Sequence, residues 1–225
     1  MLTVSLLVMP GYTRLHAVEV KAQLVTQTGS HGAHSSRKMP SAVIWLKPVQ
    51  SGAEPAVTPG RFTLLQKNKM FIPHLLVVPV GSSVAFPNAD PFFHNVFSLF
   101  EGKRFDLGLY EAGSTRSVTF SREGVSYIFC NIHSEMSAVV IALDTPFYSI
   151  ADPHGVFSIE GVPEGDYILH VWVEGQAQSS LDRSTRRVHI TGPMVTLGDI
   201  RAGSLKEQHL NKFGRPYGPD AVPTY

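Results

Sequence analysis

Short apolar runs broken by glycine and proline turns recur along most of this chain, and that punctuation limits what it can fold into. Val18 to Val25 alternates apolar with polar residues at most positions, the two-residue period of a half-buried strand. Ser41 to Leu46, Phe62 to Gln66, Leu75 to Val80 and Ser83 to Phe86 have the same character, with Gly81 as the turn between the last two. Ser117 to Phe120, Tyr127 to Cys130, Ala138 to Leu143, Phe147 to Ile150, Val156 to Ile159 and Tyr167 to Val173 follow, with weaker runs at Val188 to Ile190 and Val195 to Leu197. Glu123-Gly124, Asp152-Pro153-His154-Gly155 and Pro163-Glu164-Gly165-Asp166 supply turns between them. No amphipathic helical period stands out. The pattern predicts an all-β chain built as sandwiches or barrels. Thr26 to Pro40 reads as a loop, Gln50 to Gly60 as a linker or long turn, and residues 204–225 as a loosely attached tail.

A chain of 225 residues can bury one good core or two small ones. Its 19 Lys and Arg stand against 18 Asp and Glu, with no basic run to suit a nucleic acid. The apolar stretch Leu2 to Met9 is too short to span a bilayer. Residues 1–17 are instead expected to be a secretory leader, although Arg14 follows the apolar stretch and no basic residue precedes it. Export to the periplasm follows, with no membrane span.

The one cysteine, Cys130, cannot form an intramolecular disulfide, and a lone thiol in an exported protein is a liability unless something occupies it. It lies in Phe129-Cys130-Asn131-Ile132-His133-Ser134-Glu135-Met136, a C-x2-H-x2-M run just before an apolar strand. His94 lies upstream in Phe92-Phe93-His94-Asn95-Val96. One thiolate, two imidazoles and one thioether are the ligand set of a mononuclear blue-copper electron-transfer site. Soft sulfur favours Cu(I), imidazole suits both oxidation states, and a stiff β scaffold limits rearrangement between them. Zinc accepts Cys and His but is poorly served by thioether. A Cys-His hydrolase draws its His from a distant segment, and Cys130 is flanked by Phe129 and Asn131, with no His leading to a second metal. His31 and His34 read as solvated loop residues, His74 and His170 as structural ones. Asn95 is a candidate outer-shell residue, its N–H aimed at the Cys130 sulfur and its side chain bracing the ligand loop; the other reading is an ordinary turn residue.

Thr63 to Leu143 resembles the cupredoxin family, closest to the amicyanin and pseudoazurin type. The residues that carry the likeness are Val80-Gly81-Ser82-Ser83-Val84-Ala85-Phe86, Asn88-Ala89-Asp90, His94-Asn95-Val96, Gly124 to Cys130, His133, Met136 and Ala138-Val139-Val140. The resemblance implies a Greek-key β-sandwich over 60–144. It implies one type 1 copper ion on His94, Cys130, His133 and Met136. It also implies an apolar patch, framed by Phe92, Phe93 and Ile132, through which the edge of His133 reaches the surface to meet a redox partner. Proteins of this kind are linked to methylamine utilisation, so the partner expected is a cytochrome c or a quinoprotein dehydrogenase. An electron carrier, not an enzyme, is the leading expectation; a non-redox copper-binding or envelope-associated module is the alternative.

Asp152 to Leu169, with its Gly161-Val162-Pro163-Glu164-Gly165 turn before Tyr167, resembles a carboxypeptidase-regulatory or transthyretin-like β-sandwich. That family opens with two strands that residues 145–200 lack. Either residues 18–50 supply them, making the cupredoxin an insertion into a second small sandwich, or residues 18–50 extend the cupredoxin sheet.

Overall fold

The computed structural model describes residues 17–26, 39–50, 56–99, 102–176 and 178–202. The alternating runs become strands. In chain order they are β1 (Ala17–Thr26), β2 (Ala42–Pro48), β3 (Arg61–Thr63), β4 (Leu65–Lys67), β5 (Met70–Ile72), β6 (Leu75–Pro79), β7 (Ser83–Pro87), β8 (His94–Ser98) and β9 (Phe105–Tyr110). Then come β10 (Thr115–Thr119), β11 (Gly124–Phe129), β12 (Ser137–Leu143), β13 (Tyr148–Ile150), β14 (Val156–Pro163), β15 (Gly165–Val173), β16 (Arg186–Ile190) and β17 (Met194–Ala202). The fold is all-β, with one short helix among the described residues, α1 (Gln178–Ser184), where no helix was expected. At two turns it is too short to show a period, and it buries only Leu181. The expected leader lies outside the described residues except for Ala17, which opens β1; the expected tail lies outside them entirely.

Two sheets form the middle of the chain, in strand orders β6-β12-β11-β8-β9 and β10-β7-β3. Between them lies a core that includes Leu64, Phe86, Val96, Tyr110, Ile128 and Val140. The expected strand Phe62 to Gln66 is broken in two, because Leu64 turns inward between β3 and β4. β4 and β5 form a separate hairpin whose two turn residues, Asn68 and Lys69, both have φ of 57°. That is the left-handed conformation a two-residue hairpin turn requires.

The other two sheets, β14-β1-β17 and β13-β2-β15-β16, draw on both ends of the described chain. β1 runs antiparallel to β14 and parallel to β17, while β2 runs antiparallel to β13 and β15. Among the described residues neither β1 nor β2 pairs with any strand of the middle sheets.

β12 joins the two halves. Its run from Ala138 to Leu143 shows no polar alternation because both faces are buried. Ala138, Val140 and Ala142 face the middle core, and Val139, Ile141 and Leu143 enter the larger core built around β1, β2, β14 and β15. Polar contacts follow the same boundary. Trp172 Nε1–H donates to the Tyr127 hydroxyl (3.1 Å), and Lys47 Nζ reaches both Glu123 (2.7 Å) and Asp144 (2.9 Å). His74 meets Glu174 at 2.5 Å, which holds the Glu174 carboxyl down at about 2. Ile141→Ala removes a fully buried side chain and is expected to cost about 2–5 kcal/mol. Leu109→Ala, on the exposed face of β9, should stay within about 0.5 kcal/mol of the parent. Urea denaturation of the two variants measures both.

Candidate metal centre

β11 and β12 pair as far as Phe129 opposite Ser137, so residues 130–136 must reverse the chain in one tight loop. The Met136 N–H donates to the His133 carbonyl (3.1 Å), and the Cys130 N–H donates to the Met136 carbonyl (3.1 Å). Cys130 and Met136 are fully buried and His133 is half-buried. His94 is the first residue of β8, opposite Tyr110 of β9. β8 is buried at every position, which carries the imidazole into the core. Asn88 shapes the approach to it. Its Nδ2 donates to the Phe92 carbonyl (2.8 Å), and its Oδ1 accepts the Asp90 N–H (3.0 Å).

These elements bring three of the four expected ligands together by the atoms that matter. His94 Nδ1 lies 3.7 Å and His133 Nδ1 3.6 Å from Cys130 Sγ, and the three atoms lie within 4.8 Å of one another. Sulfur and nitrogen bound to one ion at about 2.3 and about 2.0 Å, about 115° apart, would sit about 3.6 Å from each other. The cluster could hold a metal ion. Met136 closes the same loop, and its side chain is buried in the core that contains Cys130.

Both imidazoles are kept neutral. Burial holds His94 below the ordinary imidazole value against the opposing pull of Asp90. Burial, then the charges of His94 and Lys69, bring His133 down to about 4. His94 Nε2 lies 2.8 Å from Asp90 Oδ2. Asp90 is itself a carboxylate held below its usual value: burial raises it, but hydrogen bonds from the Lys69 N–H, His94 and the Asn68 N–H outweigh that. A carboxylate only accepts, so Nε2 carries the His94 proton and the Nδ1 lone pair faces the sulfur. Asp90 is the residue that sequence reasoning missed as part of the site; its signal was a D-x3-H spacing inside a proline-bounded loop.

The surrounding aromatics are arranged around the two rings. Phe92 lies edge-on to His94 (centroids 5.2 Å apart) and tilted against His133 (5.6 Å), with Lys69 Nζ 5.5 Å over its face. Phe93 is 51% exposed, and Ile132 is half-buried. The edge of His133 was expected at the surface, but its Nε2 is buried and has no partner among the described residues. The exposed apolar surface here is that of Phe93. The Asn95 side chain, expected on the ligand loop, donates to Asp106 of β9 (2.7 Å). It therefore braces the sheet edge, since Asn95 sits directly opposite β9 in the ladder.

No family model and no curated protein matches the chain. Solved structures similar to it include a copper-containing nitrite reductase from Thermus scotoductus SA-01, with 26% identity and a TM-score of 0.36, over 43% of this chain and 25% of that one. The chain thus spans a quarter of that enzyme's length. A purple cupredoxin from Nitrosopumilus maritimus is similar at 24% identity and a TM-score of 0.33, over 37% of this chain and 99% of that one. A reduced amicyanin variant is similar at 21% identity and a TM-score of 0.35, over 39% of this chain and 86% of that one. The likeness of residues 145–200 to a carboxypeptidase-regulatory sandwich finds no support among these comparisons. No helix among the described residues is long and apolar enough to cross a membrane.

The buried neutral His133 has a consequence for the metal-free protein. In the unfolded chain this ring takes a proton near 6.5, in the folded chain only near 4. Between those values the unfolded state binds more protons, so stability falls as pH is lowered from about 6.5 towards 4. Urea midpoints measured across that range should decline, and decline less steeply in His133→Gln.

Proposed function

We propose that this chain is a type 1 (blue) copper protein that carries single electrons between redox partners. The observation that carries this reading is the meeting of Cys130 Sγ with His94 Nδ1 and His133 Nδ1, buried and at spacings one small ion could bridge. Cys130, His94, His133 and Met136 would hold the copper ion. Copper, when bound, supplies a one-electron couple; the protein's residues supply one soft anionic ligand, two neutral imidazoles and a water-poor pocket. The role is carriage and not catalysis, since Cys130 has Phe129 and Asn131 beside it and no imidazole to lead onward to a second metal. Asn95, next to His94 on β8, supports the site by bracing β8 against Asp106 of β9. Exposed Phe93, together with the half-buried Phe92 and Ile132, would offer a small apolar docking surface. A cytochrome c or a quinoprotein dehydrogenase in the periplasm fits as partner, because brief docking of this kind suits rapid turnover of complexes.

The copper unit spans 60–144 and is inserted into a second sandwich made of 18–50 and 145–200. The pairing of β1 with β14 and β17, and of β2 with β13 and β15, supports this division.

Adding Cu(II) should produce an intense blue or green absorption that Cys130→Ala abolishes. A colourless Cu(II) protein would overturn the reading, and a slow, irreversible voltammogram would favour a copper-binding module without a redox role. Met136→Gln should retain the copper and lower its potential, because an oxygen donor favours Cu(II). Cleavage within residues 50–60 and again at a protease site engineered beside Thr145-Pro146 should leave residues 18–50 bound to the fragment that begins near residue 147; their co-purification with the 60–144 fragment alone would refute the insertion.

A further inference from the structure

We propose that Asp90 is a positioning residue of the metal centre. Its carboxylate holds the His94 proton on Nε2 and ties that ring to the β4–β5 turn, so Nδ1 is aimed at the ligand cluster in advance of metal binding. This rests on the reading of His94 as a ligand.

Asp90 is 5% exposed, and both of its oxygens are engaged. Oδ1 accepts the Asn68 N–H at 2.6 Å; Oδ2 accepts the Lys69 N–H at 2.9 Å and His94 Nε2–H at 2.8 Å. Asn68 and Lys69 are the two turn residues with φ of 57°. A left-handed Lys is unfavourable on its own, and here its N–H and that of Asn68 converge on one carboxylate. The same oxygen that caps the turn therefore fixes the ring. The Asp90 N–H is held in turn by Asn88, so the carboxylate has little freedom to follow a ring that rotates. A carboxylate behind a ligating imidazole fixes its tautomer and makes it a stronger donor. The juxtaposition also places a buried negative charge one imidazole away from the metal position, which favours Cu(II) over Cu(I).

If Asp90 served only to cap the hairpin, its loss would lower stability and leave the electronics of the site alone. Two readouts separate these roles. In metal-free wild-type protein, nitrogen-15 spectra of the histidines should show His94 as the Nε2–H tautomer. An Nδ1–H tautomer overturns the proposal, whether or not any variant folds. In Asp90→Asn the Nε2–H population should fall, because one face of the new amide donates where the carboxylate accepted. The Cu(I)-over-Cu(II) preference of the same variant should rise about tenfold, which is about 59 mV in the one-electron potential. Glu135→Gln, which removes an exposed charge from the ligand loop without touching His94, should change neither readout. A wild-type potential in Asp90→Asn, or an equal rise in Glu135→Gln, overturns the proposal. The tautomer is read without copper, so it stands apart from the test of electron carriage: a colourless Cu(II) protein would sink that function and leave the Asp90 result to be judged alone.

Discussion

Strand β12 is the constraint on which the rest of the structure depends. A half-buried strand is held in register by the difference between its wet and dry faces; β12 has no wet face. Its register is set by size instead. Ala138, Val140 and Ala142 fill the middle core, and the bulkier Val139, Ile141 and Leu143 fill the larger one. A slip of one residue would exchange the two sets and place large side chains where small ones fit, a clash that close-packed interiors do not absorb. With β12 fixed, the β11–β12 ladder is fixed to its last pair, Phe129 and Ser137. The loop that carries Cys130, His133 and Met136 inherits its geometry from those two ends.

The cluster inside that loop is costly to maintain without a metal. His133 Nε2, buried without a partner among the described residues, forgoes about 1–3 kcal/mol of hydrogen bonding to water. The two extensive cores beside it offset that cost. In exchange, the imidazoles at neutral pH already have free lone pairs, so an arriving cation displaces no proton from either ring. The same burial that weakens the metal-free protein in acid prepares these donors.

Much of this centre was legible in the sequence because three of its candidate ligands share one loop. The C-x2-H-x2-M spacing needs only a strand on either side to bring its residues together, and the apolar run after it signalled one of those strands. His94 was also identified, but its setting was not: β8 is short, and its partner β9 is interrupted by Gly108, so neither shows a clean alternation. Asp90 was hidden for a different reason. Its role depends on the turn of the β4–β5 hairpin, more than twenty residues upstream, and no local period reports where that turn comes to rest. The pairing of β1 and β2 with strands more than a hundred residues later is likewise invisible to local pattern. It could be suspected only from the open edges that residues 145–200 would otherwise leave.

The docking of the two halves bears directly on the ligand loop. β11 and β12 present one face to the centre and the other to the sheet of β2 and β15, where Tyr127 meets Trp172 and Lys47 spans Glu123 and Asp144. A sheet packed on one side can relax toward solvent when a charge changes beside it; a sheet packed on both sides cannot. The two strands that lead into the ligand loop are thus held from behind along their length, by Trp172 at Tyr127 and by Lys47 at the end of the ladder away from the loop. Rigidity at a site exchanging one electron comes from resisting the differing geometric preferences of two oxidation states. In the proposed copper site, the packing behind Tyr127 and Ile141 would contribute to that resistance alongside the ligands.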